Sequence, residues 1–95
     1  MIRYEGKCLH IEGPMDIESV PALMEEGAAH VRNGAEIVDF AAVTEVDSSA
    51  VAFALALLGE ALAAGRTLAF ANLPPAMTNL AQLYGVADFI PIVRT

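Results

Sequence analysis

Short apolar runs separated by turn residues open the chain. Residues 2–4 and 8–11 are mostly apolar and flank Glu5-Gly6-Lys7, a pattern that predicts a β-hairpin whose glycine adopts a positive φ angle. Gly13-Pro14 then interrupts the alternation, so we expect the second strand to end before it. The chain is therefore expected to start with two antiparallel strands.

Helical spacing follows the hairpin. From residue 16 to residue 31 apolar side chains recur every three or four residues, which predicts a first helix beginning at Asp16 and stopped by Asn33-Gly34. Residues 35–40 have an apolar centre and predict an inner strand. Residues 41–46 are expected to form a loop.

The second helix is the clearest element in the sequence. Residues 50–64 are almost entirely apolar and end at Gly65, while Asp47, Ser48 and Ser49 are all good N-cap residues directly before them. Apolar side chains point in nearly every direction around this helix, so we expect it to be buried on most sides, either by its own core or by another protein chain.

The C-terminal third completes the pattern. Residues 67–71 predict a strand, residues 75–84 a helix that starts at a proline, and residues 87–93 a short helix, a strand, or one followed by the other. The order β-β-α-β-α-β-α predicts an α/β fold over residues 1–95. In it, a mixed sheet of about four to five strands packs with three to four helices in a single domain.

Composition narrows the classes of function. The chain is 56% apolar and 18% charged, with a net charge of −7, which disfavours binding to nucleic acid or to an anionic membrane surface. Its longest apolar run is too short to span a bilayer, so we expect no membrane insertion. The N-terminus lacks a secretory pattern and Cys8 is the only cysteine, which favours the cytosol.

Candidate catalytic and ligand-binding residues are few. We expect His10 and His30 to lie apart from other donors, and Cys8 to be buried filler, so no metal site is predicted. The glycines are spread singly along the chain instead of forming a phosphate-binding loop, so no cofactor is predicted.

One polar cluster remains, Thr44-Glu45-Val46-Asp47-Ser48-Ser49-Ala50. Its simplest role is structural, with Asp47 or Ser48 capping the second helix. A phosphate on Ser48 or Ser49 would also be stabilised at a helix N-terminus. Asp47 would repel it, and together the two charges would push a bound partner away.

The same segment resembles the STAS domain, the fold of anti-sigma factor antagonists. The resemblance covers essentially the whole chain: Asp39-Phe40 ends a strand, Val46-Asp47-Ser48-Ser49-Ala50-Val51 opens an apolar helix, and Gly65-Arg66-Thr67-Leu68 and Leu80-Ala81-Gln82-Leu83-Tyr84-Gly85-Val86 follow. It implies a STAS-type sheet and a non-enzymatic protein that binds other proteins.

Two branches of that family imply different partners. The small STAS subunit of Mla phospholipid-transport ABC complexes binds the cytosolic ATPase at the inner-membrane face and has a functional hydroxyl at the position of Ser48. Anti-sigma factor antagonists bind a kinase-like anti-sigma factor that phosphorylates the residue matching Ser49, although Ala50 stands here where that branch has glycine. This chain is similar to the first branch in its short length, its very apolar second helix and its C-terminal segment.

Both branches imply a docking site in this segment. The expected partner-binding residues are Thr44, Glu45, Asp47, Ser48, Ser49, Ala50 and Val51, with Ser48 and Ser49 as candidate phosphorylation sites. A third hypothesis, a small hydrolase, requires a histidine or lysine close to one of the two serines.

Overall fold

The computed structural model describes residues 1–93 and has a four-stranded sheet with three α-helices. The elements in chain order are β1 (Ile2–Glu5), β2 (Cys8–Met15), α1 (Val20–Arg32), β3 (Ile37–Val46), α2 (Ser48–Ala63), β4 (Ala69–Ala71), α3 (Pro75–Leu83) and a 3-10 turn (Ala87–Phe89). The predicted α/β class and the predicted numbers of strands and helices are confirmed.

The strands lie in the order β1-β2-β3-β4 and form a mixed sheet. β1 pairs antiparallel with β2 through a turn in which Gly6 and Lys7 both have positive φ, as a tight hairpin requires. β2, β3 and β4 run parallel. The helices following β2 and β3 supply the crossovers that parallel neighbours need.

The expected end of β2 and the expected loop at residues 41–46 are wrong. β2 continues to Met15 and β3 to Val46, with a register shift between Gly13 and Pro14. Pro14 is tolerated because the pairing with β1 stops at Ile11, so no ladder partner on that side needs its missing N–H. This extension carries the end of β3 to the start of α2.

The core lies on one face of the sheet. Along β2 and the first half of β3 the buried side chains alternate with partly exposed ones, as the pleat requires. The buried set joins residues of all three helices in a single cluster, and Phe40 and Phe70 stack within it with ring centroids 6.1 Å apart. The opposite face, which carries Cys8, His10 and Asp39, is here called the open face.

Helices α1 and α2 approach each other closely at Gly27. A Cβ atom at this position would lie 3.2 Å from Cζ of Phe53 and within 3.5 Å of both methyl groups of Leu57. Phe53 and Leu57 are fully buried, so neither can move aside easily. Glycine here sets the distance between the two helices.

The outer face of α2 is exposed, although its sequence is apolar. Ala52, Ala56, Gly59 and Ala63 lie along it, and Leu62 is 75% exposed. The core therefore buries only part of this helix. Within residues 1–93, no helix combines the length and the apolar character needed to cross a membrane.

The C-terminal tail forms a helix followed by a strand-like contact. After the 3-10 turn, Ile92 forms an isolated parallel bridge with Phe70 of β4. The backbone N–H of Phe70 donates to the carbonyl of Pro91, and the N–H of Val93 donates to the carbonyl of Phe70, each at 2.8 Å. The outer edge of β4 is thus covered by the chain's own tail.

Candidate functional site

Asp47 holds the start of α2 and a distant loop together. One carboxylate oxygen, Oδ1, accepts a hydrogen bond from the backbone N–H of Ser49 at 2.7 Å, which is the N-cap interaction. The other, Oδ2, accepts from the backbone N–H of Ile17 at 3.0 Å. Asp47, one of the two caps that the sequence allows, therefore caps α2 and also fixes the loop before α1.

The two candidate serines differ in exposure. Ser48 is exposed, whereas Ser49 is partly buried. Ala50 and Val51 are buried, with exposures of 0% and 3%. Their side chains belong to the core, so among residues 48–51 only the two serines present side chains to solvent.

A groove of about 480 Å³ opens beside this segment. The end of β3 forms one wall with Thr44 and Glu45, which are both exposed. The first residues of α3, around Pro75, form another wall, and Asp16 lies at its margin. The carboxylates of Glu45 and Asp16 give the groove an acidic character.

Asp16 does not lie in the first turn of a helix, because α1 begins at Val20 and not at residue 16. Its Oδ1 instead accepts hydrogen bonds from the hydroxyl and backbone N–H of Ser19, both at 2.9 Å, and from the N–H of Glu18 at 3.1 Å. These bonds, the Ser19 hydroxyl first, lower the pKa of Asp16, because they favour the charged carboxylate. The resulting tight turn presents Ile17.

Ile17 is an exposed residue beside the candidate site that was not expected there from the sequence. Its side chain is 73% exposed, and its backbone is tied to Asp47, next to Ser48. Nothing in the sequence distinguishes it from the other apolar residues near the start of the first helix. We define the Ser48 surface as the exposed residues Ile17, Thr44, Glu45 and Ser48, together with the partly buried Ser49, around Asp47.

The hydrolase hypothesis required a base near the serines. Lys7 is the only lysine in the chain, and its carbonyl accepts from Glu36 at the opposite end of β3. His30 stacks on Tyr4 with ring centroids 4.6 Å apart, and His10 pairs with Asp39 on the open face. Within residues 1–93, neither serine hydroxyl is bonded to the histidine or lysine that this hypothesis requires.

A second polar group lies on the open face, where the sequence analysis expected isolated side chains. His10 Nδ1 is 3.2 Å from Asp39 Oδ2, and donor atoms of Cys8, His10 and Asp39 all lie within 4.8 Å of one another. The expectation that His10 lies apart from other donors is therefore wrong. The pattern Cys-x-His on a predicted strand could have indicated that Cys8 and His10 lie together, since alternate residues of a strand share a face.

The environment of this group sets two pKa shifts. Burial, followed by the negative charge of Asp39, raises the pKa of the Cys8 thiol. Burial alone would raise the pKa of Asp39, but hydrogen bonds from Asn72 and from the Ala41 N–H, together with His10, outweigh it and lower that pKa. The carboxylate is thus held charged beside a protonated thiol.

Comparison with protein families gives one match over almost the entire chain. A family model described as "Mlab, STAS domain" matches residues 2–94. No curated protein sequence matches this chain.

Solved structures share the fold at low identity. The anti-sigma factor antagonist SpoIIAA in its unphosphorylated form has 17% identity and a TM-score of 0.72, covering 99% of this chain and 87% of that chain. The Bacillus cell fate determinant SpoIIAA in its phosphorylated form has 18% identity and a TM-score of 0.68, with coverage of 99% and 90%. A structure of Mglu has 18% identity and a TM-score of 0.58, covering 79% of this chain but 19% of that one.

Proposed function

Since this chain belongs to the Mlab STAS-domain family, we propose that it is a non-enzymatic subunit that binds and regulates the cytosolic ATPase of an Mla-type ABC phospholipid transporter. Such a transporter maintains lipid asymmetry, so the protein acts in the cytoplasm at the inner-membrane face and reaches that face through its partner. The family match supports this choice of partner.

The Ser48 surface is the proposed docking site, and the rigid link through Asp47 is the observation that carries it. Asp47 accepts from both the N–H of Ser49 and the N–H of Ile17, which fixes the backbone of the exposed Ile17 against the start of α2, where the two serines lie. A preorganised apolar anchor with a polar rim is typical of protein interfaces. Glu45 adds negative charge, which favours a partner surface with positive charge.

The outer face of α2 extends this surface. Ala52 and Ala56 follow Ser48 at successive four-residue intervals and are exposed. Small side chains allow the backbone of a partner to approach closely, while Leu62 offers a larger apolar contact further along the helix. The proposed interface therefore begins at the Ser48 surface and continues along α2.

Two substitutions test the docking site. Ser48→Glu adds a carboxylate that a helix N-terminus tolerates in the free protein. In the complex, the contact would have to bury this larger, charged side chain in place of a hydroxyl, so we expect roughly tenfold weaker binding or more. Ile17→Ser removes the anchor, which we expect to weaken binding by about 30-fold. Thr67→Glu and Phe89→Ser are the controls: each makes a comparable change, hydroxyl to carboxylate or large apolar to serine, at an exposed position elsewhere in the molecule.

The assay is affinity capture from cytosolic and membrane fractions, with the bound proteins identified by mass spectrometry and the affinity then measured with the purified partner. An ABC ATPase recovered by the wild type and both controls, and lost with Ser48→Glu and Ile17→Ser, is the expected result. Equal recovery by all five proteins would exclude the Ser48 surface as the docking site. Failure to recover any ABC ATPase would exclude the proposed partner.

A second candidate function is an anti-sigma factor antagonist controlled by phosphorylation. The observation that favours it is the structural similarity to SpoIIAA, whose structures include a phosphorylated form. In this alternative a kinase-like anti-sigma factor binds the Ser48 surface and phosphorylates Ser49 or Ser48. Capture of a kinase-like protein, together with phosphate on Ser49, would favour this function over the transporter role.

A further inference from the structure

The open face of the sheet brings together three side chains that are typical metal ligands. Cys8 and His10 are two residues apart on β2, and Leu9 between them is fully buried, so both side chains project from the open face. Asp39 lies directly opposite His10 in the register of β3. A thiol, an imidazole and a carboxylate therefore meet across two neighbouring strands.

The distances suit a single small cation. In a tetrahedral site with metal bonds of about 2.0 to 2.1 Å, nitrogen and oxygen ligands lie about 3.4 Å apart. His10 Nδ1 and Asp39 Oδ2 are 3.2 Å apart. The sulfur lies within 4.8 Å of the other donors, close enough for rotation of the Cys8 side chain to complete the set.

The carboxylate is already oriented by its neighbours. Asp39 Oδ1 accepts hydrogen bonds from the Ala41 N–H at 2.9 Å and from Asn72 Nδ2 at 3.0 Å, which leaves Oδ2 directed at His10. Hydrogen bonds of this kind, which hold a ligand in place from behind, are a regular feature of protein metal sites. Arg3, a nearby cation, is paired with Glu5 at 2.7 Å, so its charge is largely compensated.

We propose that Cys8 Sγ, His10 Nδ1 and Asp39 Oδ2 bind one Zn²⁺ ion, with a water molecule as the fourth ligand. Mixed sulfur, nitrogen and oxygen donors in a tetrahedral arrangement favour zinc over magnesium or calcium, which prefer oxygen alone. The thiol releases its proton to solvent on binding, and the neutral imidazole carries its single hydrogen on Nε2. His10 and Asp39 are partly exposed, with side-chain exposures of 26% and 17%, so the ion can enter from solvent.

The bound ion would cross-link β2 to β3 on the open face near the start of β3, whereas the Ser48 surface lies at the end of β3. Because the unfolded chain does not hold the three ligands together, zinc binding stabilises the native state. The site thus makes the stability of the sheet dependent on zinc, independently of partner binding.

The first test uses cobalt as a spectroscopic probe of the thiolate. Reduced, untagged protein is titrated with Co²⁺, and we expect a thiolate-to-cobalt charge-transfer band in the near ultraviolet that saturates at one equivalent and is abolished by one equivalent of Zn²⁺. Cys8→Ser should lose the band, and Asp39→Asn should bind more weakly. His30→Gln is the matched control, since it removes the only other histidine of the chain.

The second test needs no variant and so does not depend on how the variants fold. Cys8 is the only thiol in the chain, so its reaction with Ellman's reagent in the native wild-type protein reports on one atom. Zn²⁺ should suppress that reaction at one equivalent, and a chelator should restore it. Unchanged thiol reactivity in saturating Zn²⁺, or cobalt binding that is the same in wild type and folded Cys8→Ser, would overturn the proposal.

Discussion

Replacement of Asp47 tests whether one carboxylate organises the docking region. The two hydrogen bonds join the first turn of α2 to a backbone N–H 30 residues earlier in the chain. Asp47→Ala removes both bonds and leaves the N–H groups of Ser49 and Ile17 to solvent. Asp47→Asn keeps one carbonyl oxygen, which can accept from only one of the two donors.

The expected magnitude follows from counting these bonds. Loss of an N-cap side chain costs about 1 kcal/mol. A hydrogen bond to a charged acceptor contributes about 1.5 to 3 kcal/mol, which we reduce to about 1 kcal/mol because this one is exposed. Asp47→Ala should therefore lower the free energy of unfolding by about 2 kcal/mol, and Asp47→Asn by about 1 kcal/mol.

Urea unfolding followed by circular dichroism measures both values. For a domain of this size, 2 kcal/mol corresponds to a fall in Tm of about 8 to 16 °C. Glu45→Ala is the control, because Glu45 is an exposed acidic residue two positions away that makes no side-chain hydrogen bond or ion pair within residues 1–93. A cost below about 0.5 kcal/mol for Asp47→Ala, or equal costs for the Ala and Asn variants, would refute the two-bond account.

Three further substitutions have definite expectations. Gly27→Val should destabilise the fold by about 2 kcal/mol or more in urea unfolding, because its side chain must displace the buried ring of Phe53; a neutral effect would show that the contact between the two helices is loose. Asp16 has a lowered pKa, so its stabilisation is fully present above its unfolded pKa and is lost as pH falls through the folded pKa. The difference in unfolding free energy between wild type and Asp16→Ala should shrink below about pH 4, and a difference that grows on acidification would contradict this. Ser48→Ala should change stability by less than about 0.5 kcal/mol, since Asp47 supplies the cap; a larger loss would give Ser48 a structural role.

The sequence predicted the elements that carry strong local signals. The helix after Asp47 and the hairpin around Gly6 were predicted correctly, because an N-cap residue and a turn glycine leave a local pattern. The second half of β3 was missed. Its side chains are mostly exposed or half-buried, so the alternation that marks a strand is weak, and only pairing with residues up to Met15 keeps it extended.

The candidate sites likewise contain some residues that local sequence patterns identify and others that only the fold brings together. The clustering of Asp47, Ser48 and Ser49 can be read directly from neighbouring positions in the chain. The proximity of Ile17 to Asp47 and of Asp39 to His10 cannot, since each depends on contacts between residues about 30 positions apart. The burial of individual residues on α2 could not be predicted either, because the sequence does not distinguish Ala50, which is in the core, from Ala52, which is exposed.

The tail that covers β4 has a consequence for self-association. An open strand edge offers unpaired backbone groups to other copies of the protein and favours aggregation. Here the edge of this three-residue strand is occupied by Pro91 and Val93, while the strand at the other edge, β1, carries the charged side chains of Arg3 and Glu5. By covering this edge, residues 91–93 disfavour edge-to-edge pairing between sheets of different molecules. We therefore expect a protein truncated before residue 91 to expose the unpaired backbone groups of β4 and to aggregate more readily.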